Sequence, residues 1–137
     1  MLIVVRGFPD SSKKATAMDF ESAGCHWVEA DHYFYGKEYQ YYNEDGTHKY
    51  DKSKLKDAHA WCQNQVRQAL AAGKDVVVSN TAIRRWEVAV YLKIAREFGV
   101  RFEVIECTND GYDDYPPSCT AQWISDARQR WEPWIRR

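Results

Sequence analysis

Directly behind the apolar run Leu2 to Val5 stand Gly7-Phe8-Pro9-Asp10-Ser11-Ser12-Lys13-Lys14. A glycine, a small residue five places on and then a lysine have the spacing of a phosphate-binding loop, GxxxxGK followed by Ser or Thr. In such a loop the glycines let backbone N–H groups close on the phosphates, the lysine reaches the terminal ones, and the hydroxyl ligates magnesium. Gly7 and Lys13 keep that register, and Ser11 sits inside it. Three positions depart from it. Ser12 puts a side chain where the second glycine allows close approach, at a position expected to need a positive φ. Lys14 puts a cation where the metal ligand stands. Asp10 sets a carboxylate beside the phosphates, which costs on the order of several kcal/mol at the intermediate dielectric of such a pocket. Lys13 can still hold an anion, but ATP and Mg are expected to bind weakly or not at all.

Other residues carry possible chemistry. Asp31 follows the apolar segment His26 to Ala30, and its position suits a strand-end cap or turn residue. Asn80 and Thr81 end the run "DVVVSNT" and read as phosphate or substrate contacts, or as the cap of the next helix, the latter preferred. His59 falls on the apolar face of its helix and reads as a core histidine rather than a catalytic one. Arg128 and Arg130, with Arg136 and Arg137 beyond, form the one concentrated basic patch, which suits phosphate or nucleic acid, or a solvated helix face. Tyr33, Phe34, Tyr35, Tyr39, Tyr41, Tyr42 and Tyr50 crowd one short region. Core filling accounts for some of these rings, and Tyr39, Tyr41 and Tyr42 are expected to stack on bases or anchor a protein partner. Cys25, Cys62, Cys107 and Cys119 form no CxxC pair, so neither a metal site nor a disulfide framework is expected.

The elements that must position these groups follow from apolar spacing. Leu2 to Val5 reads as a strand buried on both faces of a parallel sheet, followed by a helix from Lys13 to Ala23 that stops at Gly24. His26 to Ala30 is a second strand. "KEYQYYNEDGTHKYD", with its Asp45-Gly46 turn, reads as a hairpin or excursion within about residues 33–51. Leu55, Ala58, His59, Cys62, Val66, Ala69 and Leu70 recur at helical spacing up to Gly73, and Val88, Tyr91, Leu92, Ala95 and Phe98 do so up to Gly99. "DVVVSNT" and "RFEVIEC" supply two further strands. Helix alternating with strand means α/β, and such sheets bind ligands at the edge formed by the strand C-termini.

Composition limits the function classes. A chain of 137 residues, 45% hydrophobic, fits one domain spanning 1–137. Nineteen basic residues against twenty acidic give no global field for nucleic acid or an anionic membrane. The opening apolar run is too short for a signal segment or a membrane span, and the expected place of action is the cytoplasm.

The order "LIVVRG-P-S-K", "EADHYF", "AHAWCQ", "DVVVSNT--RRWEV" and a terminal "RWE" resembles the small polynucleotide-kinase-type P-loop proteins, bacteriophage-encoded members among them, over nearly the whole chain. The resemblance implies a three-layer α/β fold with a mostly parallel sheet flanked by helices. It also implies that Asp31 activates an acceptor hydroxyl, that Lys13 meets phosphates, and that Arg128 and Arg130 of a C-terminal lid contact them. The chain departs from that pattern in the loop and again at "DDYPPSC", where relatives tend to carry a His-Gly-Val-Pro-like stretch. Two functional expectations remain open. One is a binding or regulatory module that has lost Mg-ATP phosphotransfer and engages a protein or nucleic acid through the tyrosine-rich excursion or the arginine patch. The other is an ATP-dependent kinase acting on a hydroxyl of a nucleotide or nucleic acid. A structural subunit of a larger assembly is a third.

Overall fold

The computed structural model describes residues 1–112, 115 and 119–134. Four strands, β1 (Leu2–Gly7), β2 (His26–Val28), β3 (Val76–Asn80) and β4 (Phe102–Cys107), alternate with helices α1 (Lys13–Ser22), α2 (His32–Tyr35), α3 (Leu55–Ala71), α4 (Arg85–Phe98) and α5 (Ala121–Arg130). The strands form one sheet in the order β2-β3-β1-β4, and every pairing is parallel. All four strands expected from the apolar runs are present, with β2 ending at Val28, two residues short of the expected Ala30.

The period of two in β1 divides the core into two layers. Leu2 and Val4 face α3 and α4 through Cys62, Val66, Val88, Tyr91 and Ile94. Ile3 and Val5 face α1 through Ala17, with Trp27, Val77 and Cys107 around them. Burial on both faces is why the central strand β1 reads as an unbroken apolar run from Leu2 to Val5.

The expected excursion is a short hairpin. Tyr42 and His48 form an antiparallel bridge, Asn43 N donates to Thr47 O at 2.8 Å, and Gly46 takes φ 84° at the tip. Asp45 Oδ1 accepts from Thr47 N at 3.0 Å, closing the turn from within.

Two contacts fix the sheet edge where the loops gather. Gly7 pairs with Cys107, and a Cβ on it would lie 2.2 Å from Cys107 O, so only glycine lets β1 and β4 stay paired there. Arg6 is fully buried at the end of β1, and its guanidinium donates to Ala82 O at 2.8 and 2.6 Å, to Ile83 O at 2.8 Å and to Glu106 Oε2 at 3.1 Å. It lies 3.9 Å from the Trp131 ring centroid. These bonds hold the turn after β3, in which Ala82 takes the left-handed φ of 43°.

Candidate functional site at the C-terminal edge of the sheet

The amides of the loop between β1 and α1 are satisfied within the protein. Ser11 N donates to Phe8 O at 3.0 Å, Ser12 N to Asn109 Oδ1 at 3.1 Å, and Lys13 N to Ser11 Oγ at 3.2 Å. Ser11 is buried and its hydroxyl donates to Phe8 O at 2.6 Å. Ser12 takes φ −73°, not the expected positive value, because the loop turns as a Phe8–Ser11 reverse turn and enters the helix at Ser12 with ordinary backbone angles.

Asp10 is the centre of a second set of bonds. Its Oδ1 accepts from Arg128 Nη2 at 3.1 Å, its Oδ2 from Gly111 N at 3.1 Å, and its carbonyl from Tyr112 N at 2.9 Å. Arg128 also donates to Thr108 O at 3.2 Å and stacks 4.2 Å from the Phe8 ring centroid. Phe8 packs on Trp131 at 4.9 Å. Loop, segment 108–112 and α5 are thereby one interlocked unit.

Beside this unit a cleft of about 240 Å³ opens among the ends of β2 and β3, lined in part by Lys13, Lys14, Glu29, Asp31, His59 and Asn80. Lys13 is 8% exposed and turns toward this cleft. Lys14 places its Nζ 3.6 Å from the Tyr39 ring centroid, a cation–π contact. The Tyr39 hydroxyl donates to Glu29 Oε1, and Ser79 Oγ donates to Glu29 Oε2 at 2.7 Å while accepting from Trp27 Nε1 at 2.8 Å. Glu29 and Ser79 are thus buried members of the site that the sequence reading left without a role, and His32, also buried, accepts from Glu29 N behind them. The signal was present: Glu29 is a charge inside an apolar segment that could be strand, where an acid stays only if it is partnered.

The remaining candidates are placed as follows. Asp31 lines the cleft and lies in the turn that leads into α2, as the turn alternative has it, while its side chain makes no capping bond. Asn80 and Thr81 do not cap the next helix, whose N-cap is Arg84. Asn80 instead ties β2 to β3 by accepting from Ala30 N at 2.9 Å, and Thr81 O accepts from Gly7 N at 3.3 Å. His59 lines the cleft and is half-buried rather than sitting wholly in the core. Tyr39 and Tyr41 also line the cleft, Tyr41 packing edge-on against Tyr35 at 4.9 Å, and Tyr42 is 52% exposed on the hairpin. Arg130 is exposed and bonds Asp126 O in its own helix, away from the cleft. Arg136, Arg137 and most of "DDYPPSC" (113, 114 and 116–118) lie outside the described residues.

Electrostatics in the cleft follow from burial. Burial raises the Glu29 carboxyl to about 7, against the pull of Lys13 and with the push of Asp31. Asp31 is raised by the same cause and drawn back by Lys13, His59 and Lys14. Burial lowers His32 to about 4, helped by Lys37, Lys13 and Lys14. Its Nδ1 accepts from Glu29 N at 3.3 Å, so the neutral ring carries its proton on Nε2.

These shifts give opposite stability slopes. Between about 4.5 and 7 the folded Glu29 binds more protons than the unfolded one, so its contribution falls as pH rises through that window. Between about 4 and 6.5 folded His32 binds fewer, so its contribution rises with pH. Each is on the order of 3 kcal/mol, and in the native chain they largely offset one another. Urea unfolding of Glu29→Gln across this range should show stability rising with pH more steeply than in the native chain. Parallel profiles would mean that Glu29 does not titrate there.

Such a site, at the C-terminal edge of a parallel sheet behind a phosphate-loop spacing, defines a P-loop kinase-like protein. Residues 2–111 match the AAA domain family, and the chain belongs to it. It is 26% identical over 100 residues to NEDD4-binding protein 2 of Homo sapiens, an alignment covering 71% of this chain and 5% of the human protein. The chain thus spans a small part of that relative's length. Its fold is like that of a cysteine-to-alanine mutant of the Mycobacterium tuberculosis APS kinase CysC, with TM-score 0.52 and 14% identity over 93% of this chain and 96% of that one. Among the described residues no helix is long and apolar enough to cross a membrane, and no cluster of metal-ligating side chains is present.

Proposed function

We propose that the chain is a cytoplasmic P-loop kinase-fold binding module that does not carry out Mg-ATP phosphotransfer. The observation that carries this reading is the Asp10–Arg128 pair at 3.1 Å. The loop's own carboxylate takes an arginine that the family resemblance assigns to phosphates. P-loop kinase-like proteins normally bind ATP with Mg, but the residues here do not fit that group. The amides of Ser11, Ser12 and Lys13 have protein acceptors, Asp10 holds Arg128 and the Gly111 amide away from a phosphate, and Lys14 offers no oxygen to the metal.

The cleft itself stays open, and its lysines and tyrosine rings, with Tyr42 on the hairpin beside it, suit the end of a single-stranded nucleic acid. A specific observation favours the kinase reading as the second one: Lys13 and Asp31 line the same cleft, as a phosphate ligand and a general base would need to.

One experiment separates them. A short fluorescent single-stranded DNA with a 5′-hydroxyl is incubated with the protein and Mg-ATP, following anisotropy and product together. The expected result is binding, weakened several-fold by Tyr42→Ala, with no phosphorylated product. A phosphorylated end sinks the module reading in favour of the kinase. Absence of binding moves the partner class to protein.

A further inference from the structure

The phosphate-loop pattern places a hydroxyl after its lysine to hold Mg, and here that residue is Lys14. Lys14 is held in position. Its ammonium rests on the Tyr39 ring at 3.6 Å, and Tyr39 in turn is fixed by its hydroxyl bond to buried Glu29 and by its edge-on contact with His32 at 5.6 Å. The neighbouring Lys13 is more than nine-tenths buried, lines the cleft, and makes no side-chain hydrogen bond or ion pair among the described residues. Its ammonium is not sealed in, so it is open to an anion that enters the cleft. The carboxylates of Glu29 and Asp31 act on it from further away.

We propose that the cleft takes a phosphate-bearing ligand without a divalent cation, the Lys14 ammonium standing in for the metal. This rests on the cleft being the binding site of the module proposed above. Lys13 meets the anion and Lys14 supplies the second positive charge where a metal-ligating hydroxyl would stand; of the carboxylates that also line the cleft, Glu29 already accepts from Tyr39 and Ser79, so Asp31 is the one left to a metal, against the two ammonium groups. The charge of the metal, which assists a kinase, then opposes binding.

Inorganic pyrophosphate, titrated calorimetrically in EDTA and again with excess Mg, tests this. The native protein should bind metal-free pyrophosphate, Mg should weaken binding by roughly tenfold, and Lys13→Ala should abolish it. In Lys14→Ser the effect of Mg should vanish or reverse, while Lys14→Arg, which keeps the charge, should respond as the native chain does. The inference is overturned if Mg tightens binding to the native protein, if Lys14→Ser responds to Mg as the native chain does, or if metal-free pyrophosphate does not bind. None of these outcomes touches the module reading, which fails on a phosphorylated oligonucleotide instead.

Discussion

The triple variant Asp10→Gly, Ser12→Gly, Lys14→Ser should bind Mg-ATP at least about tenfold more tightly than the native chain, a gain of roughly 1.4 kcal/mol or more. Three effects act in the same direction. Removing the Asp10 carboxylate ends its repulsion of the phosphates and releases Arg128, which is now held at 3.1 Å. Glycine at 12 removes the hydroxyl that donates to Asn109 Oδ1 at 3.1 Å and lets the loop take up close-approach angles that Ser12 does not adopt. Serine at 14 restores a metal ligand while Lys13 is already in place. Calorimetric titration of both proteins reads the difference. A variant that binds no better would show that the 108–112 segment bonded over the loop, rather than the loop's composition, closes the site. A variant that binds worse than a native chain of micromolar affinity would put the kinase reading first.

Arg6→Ala should cost about 3–5 kcal/mol of stability, a large share of what a domain of this size has. The guanidinium is fully buried and satisfies the Ala82 and Ile83 carbonyls, so its loss strands both in the interior along with part of the Trp131 packing. Glu106, partly exposed, is left to water. Arg6→Lys should lose less, keeping the charge but not the fork that bonds two carbonyls at once. Urea unfolding measures both. A loss under about 1 kcal/mol for the alanine variant would mean that the turn after β3 is held by other contacts.

Apolar spacing was enough to read the sheet, because the central strands of a doubly covered parallel sheet are short apolar runs, as in β1 and the Val76–Val78 part of β3, while the edge strand β4 still alternates apolar residues with Glu103 and Glu106. The helices α3 and α4 were legible through their apolar stripes and their glycine stops. The site was legible where a linear motif or the family resemblance carries it, and Asp31, Asn80, Thr81, Tyr39 and Tyr41 do line the cleft. Gly7, Lys13 and Lys14 follow from spacing, but the partners of Asp10 lie about a hundred residues away, and no local pattern states that a carboxylate in the loop and an arginine in α5 will meet. Asn80 misled for a related reason. An Asn-Thr pair after a strand is a good cap by propensity, yet the chain continues through Ala82 in a left-handed turn fixed by Arg6, and the helix starts later, at Arg84. Tyr39 looked like a surface ring among surface rings, and only the fold brings it over Glu29 and beneath Lys14.

The central claim, that the loop is completed by the protein's own groups and does not take Mg-ATP, is tested most directly by the thermal unfolding of the native chain as Mg-ATP is added. A ligand at a hundred times its dissociation constant adds roughly 2.7 kcal/mol and moves the melting temperature by several degrees. The account predicts no shift with Mg-ATP up to millimolar concentration, and a shift of that size at sub-millimolar Mg-ATP would contradict it.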